Sequence, residues 1–151
     1  MTKKQQRELI YNKYGGLCAY CGTELQKGWH VDEIEPVRRG WEYLKDENGN
    51  RIWCAEKRDY KTKETVMHPE RFTIENQMPA CASCNINKHN GSLEEFRKLI
   101  EGFMKHLNEL NTQYKIAKRY GLVVENVKPV VFYFESVGKN FNKKDLTDEA
   151  N

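Results

Sequence analysis

Apolar residues fall into a few short groups separated by long polar stretches. The clearest periodic run is late in the chain, where Leu93, Phe96, Leu99, Ile100, Phe103, Met104, Leu107 and Leu110 recur every three or four positions. That spacing gathers them on one side of an α-helix. Ser92 and Glu95 form a capping box ahead of it, each side chain satisfying an amide that the first turn leaves unpaired. The stripe is expected to face the core. A weaker helical pattern covers Lys4 to Tyr14, with Leu9 and Ile10 near its end, and Gly15-Gly16 stops it. A third helix is expected over Gln113 to Tyr120, ending at Gly121.

Strand signals are shorter. Val31 and Ile34 sit among polar residues between Trp29 and Pro36, and the proline ends that strand. Asn48-Gly49 is a strong turn signal flanked by Trp41, Tyr43, Ile52 and Trp53, which predicts a hairpin over Trp41 to Cys54. Residues 55–71 are charged and aperiodic and read as an exposed loop. Asn85 to His89 should begin a short helix that Gly91 breaks. Val130 to Phe134 is rich in β-formers and predicts a strand. The tail from Gly138 onward is polar and is expected to be disordered. The fold class implied is α+β, as one domain over 1–137, with 138–151 as a tail.

Composition narrows this picture. An apolar fraction of 38% with 31% charged residues makes a lean core, which a bound metal would help to hold together. A net charge of +3 is compatible with nucleic acid but does not establish it. No apolar run approaches ~20 residues, so no transmembrane helix is expected. The polar start, Met1 to Gln5, shows no signal-peptide pattern. Five cysteines without a secretion signal favour metal ligation over disulfides.

Four of those cysteines form two CxxC pairs, Cys18-Ala-Tyr-Cys21 and Cys81-Ala-Ser-Cys84. Each pair can wrap one face of a tetrahedral ion, and together they make an all-sulfur shell suited to Zn2+. Sulfur at every position leaves none for water, so such a zinc is structural. Cys54 is left over and reads as a small buried apolar residue.

The order of these elements resembles the HNH endonuclease family, in the form whose ββα-metal site is braced by zinc on two CxxC knuckles. The family carries Asp-His-Ile and a proline on a strand after the first knuckle, then a central Asn. The second knuckle is followed at once by His or Asn and, shortly after, by Lys. Here the corresponding residues are Asp32-Glu33-Ile34-Glu35-Pro36, Asn76, and Cys81-Ala-Ser-Cys84-Asn85-Ile86-Asn87-Lys88. The match spans roughly 15–90, leaving 92–137 as a helical and strand extension and the hairpin as an insertion.

The resemblance implies roles. Asp32 and Asn85 would hold one divalent ion, with oxygen donors that suit Mg2+ or Mn2+. That ion would stabilise charge developing during hydrolysis of a DNA phosphodiester. Asn76 would orient the general base and Lys88 would contact phosphate. The resemblance also implies double-stranded DNA as partner, no membrane, and a bacterial or phage-infected cytoplasm.

Glu33 occupies the position of the family's general-base histidine. A histidine is suited to that task by its near-neutral pKa. Glu33 as a weaker base, Glu33 as a further metal ligand, a natural site that binds without cutting, and deliberate replacement of the histidine all remain open. His30 reads as a structural or DNA-contact residue; His89, four residues after Asn85 and so on the same helix face, can line the site but reads first as a solvated helix-end residue. Arg38, Arg39, Lys57, Arg58, Lys61, Lys63 and Arg71, with Trp41 and Trp53 nearby, make the insertion the candidate for DNA contact. The runner-up reading is an inactive, zinc-stabilised nucleic-acid-binding module.

Overall fold

The computed structural model describes residues 1–138. The expectation for the tail therefore falls, from Lys139 on, outside the described residues. The chain is mixed α and β, with short antiparallel strand pairs. The first helix, α1 (Lys3–Asn12), starts at Thr2, whose hydroxyl oxygen accepts the Gln5 amide while its own amide donates to the Gln5 side-chain oxygen. Gly16 turns the chain at φ +78°, and a Cβ there would fall 2.6 Å from the Tyr11 hydroxyl, so the helix end packs where only glycine fits.

Strand β1 (His30–Glu33) pairs antiparallel with a strand far along the chain. Between them lie β2 (Arg39–Tyr43), β3 (Trp53–Cys54), β4 (Asp59–Tyr60), β5 (Thr62–Val66) and a 3-10 turn (Pro69–Arg71). The partner of β1 is β6 (Gln77–Ala80), in the register His30 opposite Ala80 and Glu33 opposite Gln77. The chain then enters α2 (Ala82–Lys88) directly. Two antiparallel strands and a helix thus form one unit, interrupted by a long insertion. Helix α1 is bolted to it by Lys13, whose ammonium donates to the carbonyls of Ile74 and Gln77.

The insertion departs from expectation. Residues 55–71 are not a plain loop: β5 pairs along the whole of β2, from Arg39 opposite Val66 to Tyr43 opposite Thr62. The Asn48-Gly49 turn forms, but its arms meet only at the Lys45–Arg51 bridge, and Trp53 pairs with Tyr60 instead. Both faces of this ribbon are largely exposed, so its strands carry no alternation of apolar and polar residues to read.

Helices α3 (Leu93–Leu110) and α4 (Thr112–Arg119) follow, with Ser92 and Glu95 forming the expected capping box. The stripe on α3 is only partly core-facing. Phe96 is buried, whereas Leu99, Phe103 and Leu110 are exposed. The segment Val130 to Phe134 is not a strand. It is extended to Phe132 and then turns into the short helix α5 (Tyr133–Ser136). Its apolar character serves burial: Phe132 is 1% exposed, stacked on Phe96 and edge-on to Tyr20 with centroids 5.5 and 5.6 Å away. The amides of Tyr133 and Phe134 bond to the carbonyls of Tyr20 and Ala19. The core therefore sits between the first knuckle, the start of α3 and this C-terminal strap. Among the described residues no helix is long and apolar enough to cross a membrane.

Candidate functional site

The two knuckles meet because β6 carries the second alongside the first. The amide of Ala19 bonds to the carbonyl of Pro79, and Cys81 then caps α2. The ligand atoms of Cys18, Cys21, Cys81 and Cys84 all lie within 4.8 Å of one another, with the sulfurs of Cys21 and Cys81 3.8 Å apart. A tetrahedral zinc with bonds of ~2.3 Å separates its sulfurs by roughly 3.8 Å, so the spacing fits. The amide of Cys81 points at the Cys18 sulfur and that of Cys84 at the Cys81 sulfur, at 3.3 and 3.5 Å. The Cys18 thiol is lowered to about 4, chiefly because Cys84 donates a hydrogen bond to it. The Cys84 thiol is pushed up by giving that bond, by burial and by the neighbouring sulfurs. Four thiols sharing protons in this way are a site where a soft cation such as zinc can take the protons' place. Cys54 lies on β3, outside the cluster.

The second group of residues lies around Asp32. Its carboxylate is buried, and its Oδ2 accepts from the Tyr20 hydroxyl and lies 3.0 Å from the Lys88 ammonium. Lys88 also donates to the Glu33 carbonyl at 2.6 Å. Its side chain is 1% exposed, so it is turned inward to Asp32 and not outward toward a phosphate. A helix residue three after Asn85 points back at the strand, which ties α2 to β1. Burying a charge this deeply is tolerable because the pair is matched and hydrogen-bonded. These contacts occupy Oδ2, and no hydrogen bond to Oδ1 is made among the described residues.

An open cleft of about 410 Å³ runs beside this pair, and Asp32, Glu33, Asn85, Lys88 and His89 all line it. The Asn85 side chain is half-buried and makes no hydrogen bond to any described residue. Glu33 ends β1 with a half-buried carboxyl, pushed above its ordinary value by burial and by the negative charge of Asp32, against the pull of Arg39 and Lys88. Asn76 does not touch the Glu33 side chain. It clamps the chain two residues on, accepting from the Glu35 amide at 2.8 Å and donating to the carbonyls of Glu35 and Arg71 at 2.9 Å.

The remaining candidates divide. Arg39 sits on the ribbon, with Glu64 at 4.0 Å, near enough for its charge to act on Glu33. Arg38 lines a neighbouring groove with Arg71 and Ser92, not the Asp32 cleft. His30 is exposed and outside the cleft. His89, which the sequence allowed to line the site although a solvated helix-end position read first, does line it, at the end of α2 where its φ is +51°. Its four-residue spacing from Asn85 was the signal for that placement. Neither a family model, nor a curated protein, nor a solved structure matches this chain.

Proposed function

We propose that the chain is an HNH-type, metal-dependent endonuclease that hydrolyses DNA phosphodiester bonds, with hydrolysis impaired by Glu33. The observation that carries this reading is the state of Asp32. One carboxylate oxygen is held by Tyr20 and Lys88, and the residue lines a cleft shared with Asn85 and Glu33. A carboxylate fixed through one oxygen at the wall of a cleft is a prepared ligand for a hard cation. The β1–β6–α2 unit that carries these residues follows the motif order of the ββα-metal site.

In this reading Asp32 and Asn85 hold a divalent Mg2+ or Mn2+ through oxygen. When bound, that ion supplies charge stabilisation to the phosphoryl group. Glu33 faces the same cleft and accepts a proton from water, a task its raised carboxyl performs less well than an imidazole. Lys88 is a positioning residue that holds Asp32 and β1. Asn76 fixes the backbone after Glu33. The zinc on Cys18, Cys21, Cys81 and Cys84 is structural, since sulfur fills its shell. A bacterial or phage-infected cytoplasm is the setting that goes with this reading.

The second reading, an inactive nucleic-acid-binding module with the same zinc, is favoured by Glu33 itself. Incubating supercoiled plasmid in Mn2+ with Glu33→His, beside the same variant carrying Asp32→Ala or Asn85→Ala, separates the two. Nicking that both variants lose supports the nuclease. Activity that survives both variants refutes the assigned site.

A further inference from the structure

Residues 39–66 leave the body as a ribbon whose outer surface is aromatic. Trp41 is 70% exposed and Trp53 55%. Alternation along β2 puts Arg39, Trp41 and Tyr43 on one face. Tyr60 meets Tyr43 and Trp53 edge-on, with centroids 5.9 and 5.2 Å apart, which draws Trp53 to the same side. The Arg51 guanidinium lies 4.1 Å from the centre of the Tyr43 ring. Exposed aromatic rings on a two-stranded ribbon stabilise a fold little and mark a contact surface.

The charges say what the surface contacts. The ribbon carries seven cations against six acids: Glu42 pairs with Lys63 and Glu64 with Arg39, Asp46 accepts the amides of Asn48 and Asn50 and Asp59 that of Tyr60, and Glu47 and Glu56 form no ion pair among the described residues. Lys45, Lys57, Arg58 and Lys61 form no ion pair among the described residues. Flat rings interleaved with unpaired cations match base faces joined by phosphates. A duplex keeps its base faces inside the stack, so rings lying open on a ribbon suit unpaired bases.

We propose that this ribbon is a docking site for single-stranded nucleic acid, in which Trp41 and Trp53 stack on unpaired bases while Arg51 and Lys45 meet phosphates. Resting on the nuclease reading above, it makes the substrate a DNA that carries an unpaired arm beside its duplex. The ribbon rises from the rim of the Asp32 cleft. Pro36 and Val37 line that cleft, β2 begins at Arg39, and the bond from the Met67 amide to the Arg38 carbonyl at 2.7 Å closes the ribbon's base. Arg71 fixes that base through the Pro36 carbonyl at 3.0 Å and Glu35 at 3.2 Å.

The test is fluorescence anisotropy of a labelled oligothymidine with the zinc-loaded full chain and no Mg2+ or Mn2+, so that binding is read without cleavage. An abasic oligomer of equal length keeps the phosphates and lacks the rings. The expected result is binding at least roughly tenfold tighter to oligothymidine than to the abasic chain, with quenching of tryptophan emission. Trp41→Ala and Trp53→Ala should each weaken oligothymidine binding by roughly 5- to 150-fold. Equal affinity for the two oligomers would overturn the proposal, and so would no binding to either, which would leave an apolar protein partner for the ribbon. The oligomer comparison uses the unaltered chain and decides the matter even if the variants fold poorly. Oligothymidine binding with no plasmid nicking by a folded, zinc-loaded Glu33→His keeps the docking site and fails the nuclease. Duplex nicking without oligothymidine binding does the reverse.

Discussion

Lys88 reaches from the last turn of α2 to place its ammonium 3.0 Å from Asp32 on β1, with 1% and 6% of the two side chains exposed. A buried pair of this kind is fragile to half-removal, because the remaining charge has no partner and no water. Lys88→Ala should therefore destabilise the chain by about 3–5 kcal/mol. Chemical unfolding at neutral pH measures it. A loss below about 1 kcal/mol, the ordinary worth of a surface pair, would mean that the amine is not buried against Asp32.

The sulfur cluster ties the first knuckle to the start of α2 across 63 residues, and folding and metal binding are coupled at such sites. Cys18→Ser should lose zinc and lower the melting temperature, and a strong chelator should do the same to the unaltered chain. Asn85→Ala should keep its zinc. Metal analysis of the purified variants reads both, and loss of zinc from a folded Asn85→Ala would show that the two centres are not separate.

Asn76 uses both ends of its amide, accepting from the Glu35 backbone and donating to the Glu35 and Arg71 carbonyls. Asn76→Asp keeps the acceptor and loses the donors. It should cost about 1–3 kcal/mol, since two carbonyls lose their partner. Hydrogen exchange at the Ile34 and Glu35 amides should speed up while exchange in α3 stays unchanged. Uniform acceleration would mean global unfolding and not a local clamp.

The C-terminal strap has an acid-sensitive latch. The Arg97 guanidinium lies 2.6 Å from Glu135, and Glu135 also accepts the Phe132 amide. Arg97 holds the Glu135 carboxyl below the usual value of 4.5. A lowered carboxyl adds stability that is fully present above that value and is lost as pH falls through the lower folded value. The protection factors of the Phe132 to Val137 amides should therefore fall in acid below about pH 4.5, and Glu135→Gln should flatten that dependence. Glu94 shares Arg97 at 3.2 Å, so Glu94→Gln is the control that should leave the strap in place.

What the sequence made legible follows from which residues obey a local rule. The two CxxC pairs were readable because metal geometry fixes their spacing, and α3 because Ser92 and Glu95 mark its start. Asp32, Asn85 and Glu33 were named from motif order, and they line one cleft. The inward turn of Lys88 was not readable, because a lysine near a phosphate-cutting motif and a lysine buried on a carboxylate look alike in sequence. The β2–β5 pairing was hidden because neither face is buried. Val130 to Phe134 misled for the opposite reason: Phe132 is apolar because it plugs the core beside Tyr20, not because it joins a sheet.

The most direct test is nicking of supercoiled plasmid in Mn2+ by the unaltered chain beside Glu33→His. On the proposed nuclease reading, an imidazole at that position would supply the general base beside Asp32 and Asn85. The account predicts slow or absent nicking by the unaltered chain and nicking at least tenfold faster by Glu33→His, a gain within the roughly 10²–10⁴-fold worth of a positioned base. Silence from a folded, zinc-loaded Glu33→His would contradict it.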